Sequence, residues 1–270
     1  MPFTIPTPAP YPINITGIVP STDISASGVV ILDVASGVYL YKRNEEELLS
    51  PASTTKIMTA LVALDHYSLD EVLTVQYAAN NGQTMKLVPG ERMTMENLLY
   101  GALIHSANDA AFTLAQNYPG GVDKFVQAMN QKAVDLHLTN SHFTNSVGYD
   151  DVNHKMTPLD LARLASIALL NPIITKMVAI PQITISDVTH TYFHSLTNVN
   201  QLLGKIPGVG GIKTGWTEAA GENLVTLVER NSHKVIIVLL HSNDRFGETT
   251  KLIDWVFTNH RWEEMKPENK

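Results

Sequence analysis

The chain reads as a mixed α/β protein of the α+β type, with an antiparallel sheet flanked by helices and joined to an all-helical lobe. Three observations lead there. Apolar, β-branched runs lie near both ends of the 270 residues. The middle is a series of capped, amphipathic helical patterns. A hydrophobic content of 44% in a chain this long supplies enough apolar surface for one large core or two lobes.

Residues 1–22 are proline-rich, with Pro2, Pro6, Pro8, Pro10, Pro12 and Pro20, and read as a linker or tail. Val29-Val30-Ile31-Leu32, the turn Ala35-Ser36-Gly37 and Tyr39-Leu40-Tyr41 form a β-hairpin. Pro51 then opens a helix in which Ile57, Met58, Leu61 and Leu64 recur at helical spacing. Residues 70–93 are mixed, with turns at Gly82 and Pro89-Gly90. Thr94 caps a helix running to about Ile104, with Glu96 in its first turn. Ser106-Ala107-Asn108 interrupts it, and a second helix runs from Asp109 to about Asn117. A third spans Val122 to about Leu136, with Phe125, Val126, Met129 and Ala133 on one face. Thr157-Pro158 opens a fourth, to about Leu170.

Ile183–Val188 reads as a strand, and Val209–Gly215 as a glycine-rich approach to another. Leu224–Val228 and Val235–Leu240 flank Asn231-Ser232 as a second hairpin. Gly247 to about Arg261 is a helix burying Leu252, Ile253, Val256 and Phe257. The simplest packing joins both hairpins in one sheet, covered by the first and last helices. Residues 23–264 then form a single domain, its sheet lobe taking about 23–65 and 180–264 and its helical lobe about 66–179. Residues 265–270 are a tail. Ser53 falls at the seam between lobes, where clefts form.

The net charge of −7 argues against general affinity for nucleic acid or anionic membrane. The absence of cysteine excludes a disulfide scaffold and a thiol nucleophile. No run approaches about 20 apolar residues, and the N-terminus lacks the pattern of a signal peptide. His190, His194, His233, His241 and His260 lack metal-ligand spacing, and no metal or cofactor is expected. His105, beside Ser106, reads as a packed helix-end histidine or one that tunes a cleft.

Chemistry is suggested by three short motifs in order: Ser53-x-x-Lys56, Ser106-x-Asn108 and Lys213-Thr214-Gly215. Ser-x-x-Lys alone occurs about once by chance in a chain this long. All three in order, each in a fitting local context, are far more specific. A serine hydroxyl needs a base within hydrogen-bond reach, and a lysine one turn along supplies it if desolvation or neighbouring cations keep it neutral. Ser106, at a break between helices, can relay a proton, or simply cap a helix. Asn108 offers a donor and an acceptor to a substrate amide, or is a second cap. Lys213 brings positive charge for a carboxylate and helps keep Lys56 neutral. Thr214 can hydrogen-bond that carboxylate, and Gly215 admits a substrate backbone as an added strand. The backbone N–H groups of Ser53 and Trp216 are the expected oxyanion donors.

The set resembles the serine-type D-alanyl-D-alanine carboxypeptidases, the low-molecular-mass penicillin-binding proteins, over about residues 24–262. Ser50–Ala60, Ser106–Ala111, Phe143-Thr144-Asn145-Ser146-Val147-Gly148, Gly211–Gly215 and Ala220-Gly221 all match that family. The resemblance implies a β-lactamase/transpeptidase-like fold with the active site between its two parts. It implies removal of the terminal D-Ala from peptidoglycan stem pentapeptides through an acyl-enzyme on Ser53, and acylation by β-lactam antibiotics. Two other activities fit the same residues, a peptidoglycan D,D-endopeptidase and a β-lactam-binding sensor without turnover. In Asp244-Arg245-Phe246, Arg245 is similar to the family's carboxylate-binding arginine, though a cap-proximal ion pair is the other reading. Trp216 stands where the family more often has histidine or another residue. No Glu-x-x-x-Asn segment lies between Asn108 and Lys213, so slow turnover of penicillin is expected. The family also implies an exported protein on the extracytoplasmic face of the bacterial envelope, its leader or anchor outside this sequence. Many members continue into a β-rich domain and an amphipathic anchor, whereas this chain ends soon after Trp262.

Overall fold

A five-stranded antiparallel sheet is the frame on which the rest is hung. The computed structural model describes residues 9–77 and 79–264. In chain order the elements are β1 (Tyr11–Asn14), β2 (Gly28–Asp33), β3 (Tyr39–Arg43), α1 (Lys56–His66), β4 (Val72–Thr74), β5 (Arg92–Thr94), α2 (Met95–Leu103), α3 (Asn108–Gln116) and α4 (Gly121–Asp135). Then come α5 (Pro158–Ala168), α6 (Pro172–Val178), β6 (Gln182–Ser186), β7 (Phe193–Thr197), β8 (Val209–Thr217), β9 (Gly221–Arg230), β10 (His233–Ser242), α7 (Arg245–Asn259) and β11 (His260–Glu263). The main sheet has the order β3-β2-β10-β9-β8. The N-terminal hairpin and the C-terminal strands therefore share one sheet, joined where Ile31 faces Ile237.

Both faces of this sheet are covered, which is why Val29–Leu32 of β2 and Val235–Leu240 of β10 are unbroken apolar runs. Successive side chains point to opposite faces. Val30, Ile236 and Val238 join the core shared with the helices, while Val29, Ile31, Val235 and Ile237 pack with Leu252, Ile253 and Val256 of α7. Each such side chain, fully buried, contributes about 1.5–3 kcal/mol. Phe257, expected in that core, is half-buried and stacks on Trp262. Two helix starts follow their caps, with Thr94 Oγ1 accepting from Asn97 N at 3.2 Å and Thr157 Oγ1 from Asp160 N at 3.1 Å.

Four features depart from the sequence expectations. Within the proline-rich linker expected at residues 1–22, Tyr11–Asn14 is a strand that pairs with His260–Glu263. β1 has a neighbour on one side only, so the missing donor of Pro12 is tolerated there. Residues 1–8, and the tail at 265–270, lie outside the described residues. The helix lying on β2 and β10 is α5, not α1. α1 runs through the middle of the helical lobe, and every residue from Lys56 to Ala63 is buried. Its apolar positions all find partners there, so it has no solvent face over that span. The strand expected at Ile183–Val188 is β6, and it pairs with β7 in a separate ribbon. That ribbon is tied to the helical lobe by Asn97 Nδ2 donating to Ser186 O at 2.9 Å and by the His194–Glu91 pair at 2.6 Å. The sheet lobe therefore begins later than residue 180. Finally, α6 and the β4–β5 ribbon had no counterpart in the sequence reading.

Among the described residues, no single helix is long and apolar enough to cross a membrane.

Candidate active site

Ser53 sits not on the α-helix itself but in a 3₁₀ turn, Ala52–Thr55, that leads into α1. Ala52 starts the turn at φ +48°, and Thr54 Oγ1 closes it by donating to Pro51 O at 2.7 Å. In 3₁₀ geometry side chains three apart eclipse. The Lys56 amine is thereby brought to 2.8 Å from Ser53 Oγ. Lys56 is wholly buried, and its Nζ also contacts Asn108 Oδ1 and Val147 O, both at 2.7 Å. Those two carbonyl oxygens accept only. A neutral amine has two N–H groups and one lone pair. If the carbonyls take the two protons, the lone pair is left facing the Ser53 hydroxyl.

The surroundings favour that neutral form. Burial, then the positive charge of Lys213, hold the Lys56 amine well below the usual lysine range, against a smaller opposing pull from Asp109. Lys213 is itself buried and is pushed down to about 7, first by burial and then by Arg245. Arg245 is lowered by burial and partly restored by Glu222.

Ser106 lies between α2 and α3 in a left-handed conformation, φ +59°. This turns its hydroxyl away from both helices and toward β8, where it accepts from Lys213 Nζ at 2.7 Å. The second proton of Lys213 goes to Thr214 O at 3.0 Å. Asn108 Oδ1 accepts from Lys56 Nζ, and one Nδ2 proton goes to Asn81 O at 2.8 Å, which leaves the second Nδ2 proton and one oxygen lone pair.

β8 is one of the two edge strands of the sheet, with one side unpaired by any other sheet strand. Gly215 passes close to the serine turn. A Cβ there would lie 3.0 Å from Pro51 O and 3.1 Å from Ser53 N, so a side chain would crowd the nucleophile region. Arg245 Nη1 donates to Gly215 O at 2.7 Å, while its buried Nε has no hydrogen-bond partner among the described residues. Trp216 is 63% exposed.

These residues border one cleft of about 500 Å³. Ser53, Ser106, Asn108, Thr214, Gly215, Trp216 and Arg245 line it, and Lys56 and Lys213 lie behind that lining. All nine residues singled out from the sequence are thus brought together.

Several supporting residues had no physical role in the sequence reading. Asn145 Oδ1 accepts from the backbone N–H groups of Val147 at 3.2 Å, Gly148 at 2.7 Å and Tyr149 at 2.9 Å. The turn so formed points Val147 O at Lys56 and Ser146 O at Thr59 Oγ1, 2.6 Å away. Gly148 has φ +90°, and a Cβ there would sit 1.9 Å from Ala52 O. His154 Nδ1 accepts from Thr144 N at 3.0 Å, so the proton is on Nε2, which donates to Thr55 Oγ1 at 2.8 Å. Burial holds that ring neutral, down to about 4. Asn223 Nδ2 donates to Ser50 O at 2.9 Å, pinning the serine loop to the sheet. The signal for the first group was the Phe143–Gly148 segment, whose family likeness was visible but whose function depends on contacts with α1.

A family model described as D-alanyl-D-alanine carboxypeptidase, peptidase S11, matches residues 15–244. The D-alanyl-D-alanine carboxypeptidase DacF of Bacillus subtilis (strain 168) is 33% identical over 255 residues, 91% of this chain and 65% of that protein. The chain therefore spans less than two thirds of that relative. The D-alanyl-D-alanine endopeptidase of Pseudomonas aeruginosa is 32% identical over 244 residues, 87% of this chain and 78% of that one. The crystal structure of the Streptomyces K15 DD-transpeptidase is similar with a TM-score of 0.84 and 32% identity, covering 89% of this chain and 100% of that one.

Proposed function

The chain belongs to the D-alanyl-D-alanine carboxypeptidase family of serine peptidases, and we propose that it removes the terminal D-Ala from peptidoglycan stem pentapeptides through an acyl-enzyme on Ser53. The observation that carries this reading is the placement of Lys56. Its two obligate acceptors and its depressed proton affinity leave a lone pair for the Ser53 hydroxyl.

The steps follow from the geometry. Ser53 Oγ attacks the carbonyl carbon of the penultimate D-Ala, and its proton moves to Lys56 Nζ. The carbonyl oxygen becomes an oxyanion held by the backbone N–H groups of Ser53 and Trp216. The C–N bond breaks as the proton held on Lys56 passes through the Ser106 hydroxyl to the leaving nitrogen, so D-Ala departs with a neutral amine and its ionised carboxylate, and takes a second proton from solvent. Water then cleaves the ester, with Lys56 taking its proton and returning one to Ser53. The terminal carboxylate of the substrate meets Thr214 and Arg245, whose unpartnered Nε is available to it, with Lys213 adding positive potential behind. A β-lactam enters by the same route, but its leaving amine stays tethered to the acyl group and shields the ester from water. Substrate and product place the protein at the extracytoplasmic face of the envelope, where the stem peptides are.

The test is release of D-Ala from a monomeric pentapeptide, alongside labelling by a fluorescent penicillin read by intact mass. One adduct per chain, lost in Ser53→Ala, together with D-Ala release, supports the reading. Labelling without D-Ala release would make the protein a penicillin-binding sensor. The endopeptidase name of the Pseudomonas relative favours a second substrate, a cross-linked stem dimer, to be assayed beside the monomer. Faster cleavage of the dimer would reassign the activity.

A further inference from the structure

The cleft is electrically polarised along β8. At one end lie the cations Lys213 and Arg245. At the other, just past the strand, lies Glu218, the one carboxylate among the described cleft-lining residues. Between them, Trp216 presents an exposed indole to the same cleft. A second rim carboxylate, Asp150, is already engaged by Thr217 Oγ1 at 2.6 Å. That hydroxyl also accepts from Ala220 N at 3.0 Å, which fixes the turn carrying Glu218. Among the described residues Glu218 enters no salt bridge.

We propose that Glu218 and Trp216 form a subsite for a side chain bearing a free primary ammonium, on the residue immediately before the D-Ala-D-Ala pair. This rests on the carboxypeptidase reading above. A peptide that pairs antiparallel with β8, carboxylate toward Thr214 and Arg245, sets its scissile carbonyl against Gly215 and Trp216. Each residue upstream advances about 3.4 Å along the strand. The residue before the pair therefore comes alongside Thr217 and Glu218. Its methylenes lie against the indole and its ammonium meets the carboxylate. The substrate class is a stem peptide with a diamino acid at that position, its amine free.

The test compares N-acetyl-Lys-D-Ala-D-Ala, whose ε-ammonium is free, with the same peptide acetylated at the ε-amine. An exposed ion pair of this kind predicts that the wild-type enzyme prefers the free amine by about threefold in kcat/KM, expressed mostly in KM. In Glu218→Gln the preference falls to about one, and in Glu218→Lys it inverts. Trp216→Ala weakens both lysine peptides relative to N-acetyl-Gly-D-Ala-D-Ala. A preference near one in the wild type, or one that survives in Glu218→Gln, overturns the subsite. An unchanged ratio in Trp216→Ala removes the indole from it. If the wild type releases no D-Ala from any of these peptides, the carboxypeptidase reading itself fails.

Discussion

Replacing Lys213 by methionine should make the protein more stable while disabling it. The buried ammonium titrates at about 7 in the fold against 10.5 in the unfolded chain. Between those values the unfolded chain holds a proton that the folded chain has released, so stability rises with pH across that window. At pH 7 the linkage amounts to roughly 4 kcal/mol of stability withheld by this one group. Methionine fills a similar volume without a charge. It loses the bonds to Ser106 Oγ and Thr214 O, which offset about 2 kcal/mol of the gain. The net is about 2 kcal/mol, or a Tm about 5 °C higher at pH 7. The advantage should shrink steadily as pH is raised toward 10.5. Thermal unfolding of both proteins from pH 6 to 10, followed by circular dichroism, measures it. A folded variant that melts below wild type at pH 7, or a Tm difference that does not change with pH, would show that Lys213 carries no such burden. Penicillin acylation should fall at least about a hundredfold in the same variant, in line with the loss of preorganised charge.

Other outcomes follow from the same contacts. The pH profile of penicillin acylation should rise as Lys56 loses its proton and fall as Lys213 loses its own near 7. Because Arg245 helps lower Lys213, Arg245→Gln should move the falling limb to higher pH, and a limb that stays or moves down contradicts that coupling. Lys56→Ala should abolish labelling by fluorescent penicillin in a protein that still gives a native circular dichroism spectrum; normal labelling would remove Lys56 from the base role. Asn145→Ala strips three backbone N–H groups of their acceptor and should cost about 2–3 kcal/mol in denaturant unfolding, with acylation slowed as Val147 O drifts from Lys56. The penicilloyl-enzyme should persist for minutes by intact mass, and decay within a second would instead indicate an efficient β-lactamase.

Much of this architecture is readable from local patterns. β2, β9 and β10 announce themselves as β-branched runs because both sheet faces are covered. α2 and α5 do so through Thr94 and Thr157, whose hydroxyls cap the first turn. Ser53 and Lys56 were legible because three residues of separation put side chains together in either helix type. What stayed hidden depends on partners far away in the chain. The pairing of Tyr11 with Glu263 leaves no local trace, and the prolines around it point the other way. Nothing in Ile183–Val188 distinguishes a ribbon strand from a main-sheet strand, since its neighbour is chosen by the surface it lands on. The work of Asn145 was equally invisible, because a turn of that composition has meaning only once α1 is beside it.

The junction of β1 and β11 carries a last consequence. Tyr11 lies opposite Glu263 and Asn14 opposite His260, so the first and last strands of the described residues meet at one corner. A tether at either strand would hold the catalytic mouth in the same orientation. A short bridge across that corner, with new ends opened at Asn231-Ser232, should yield a circularly permuted enzyme whose groove is unaltered.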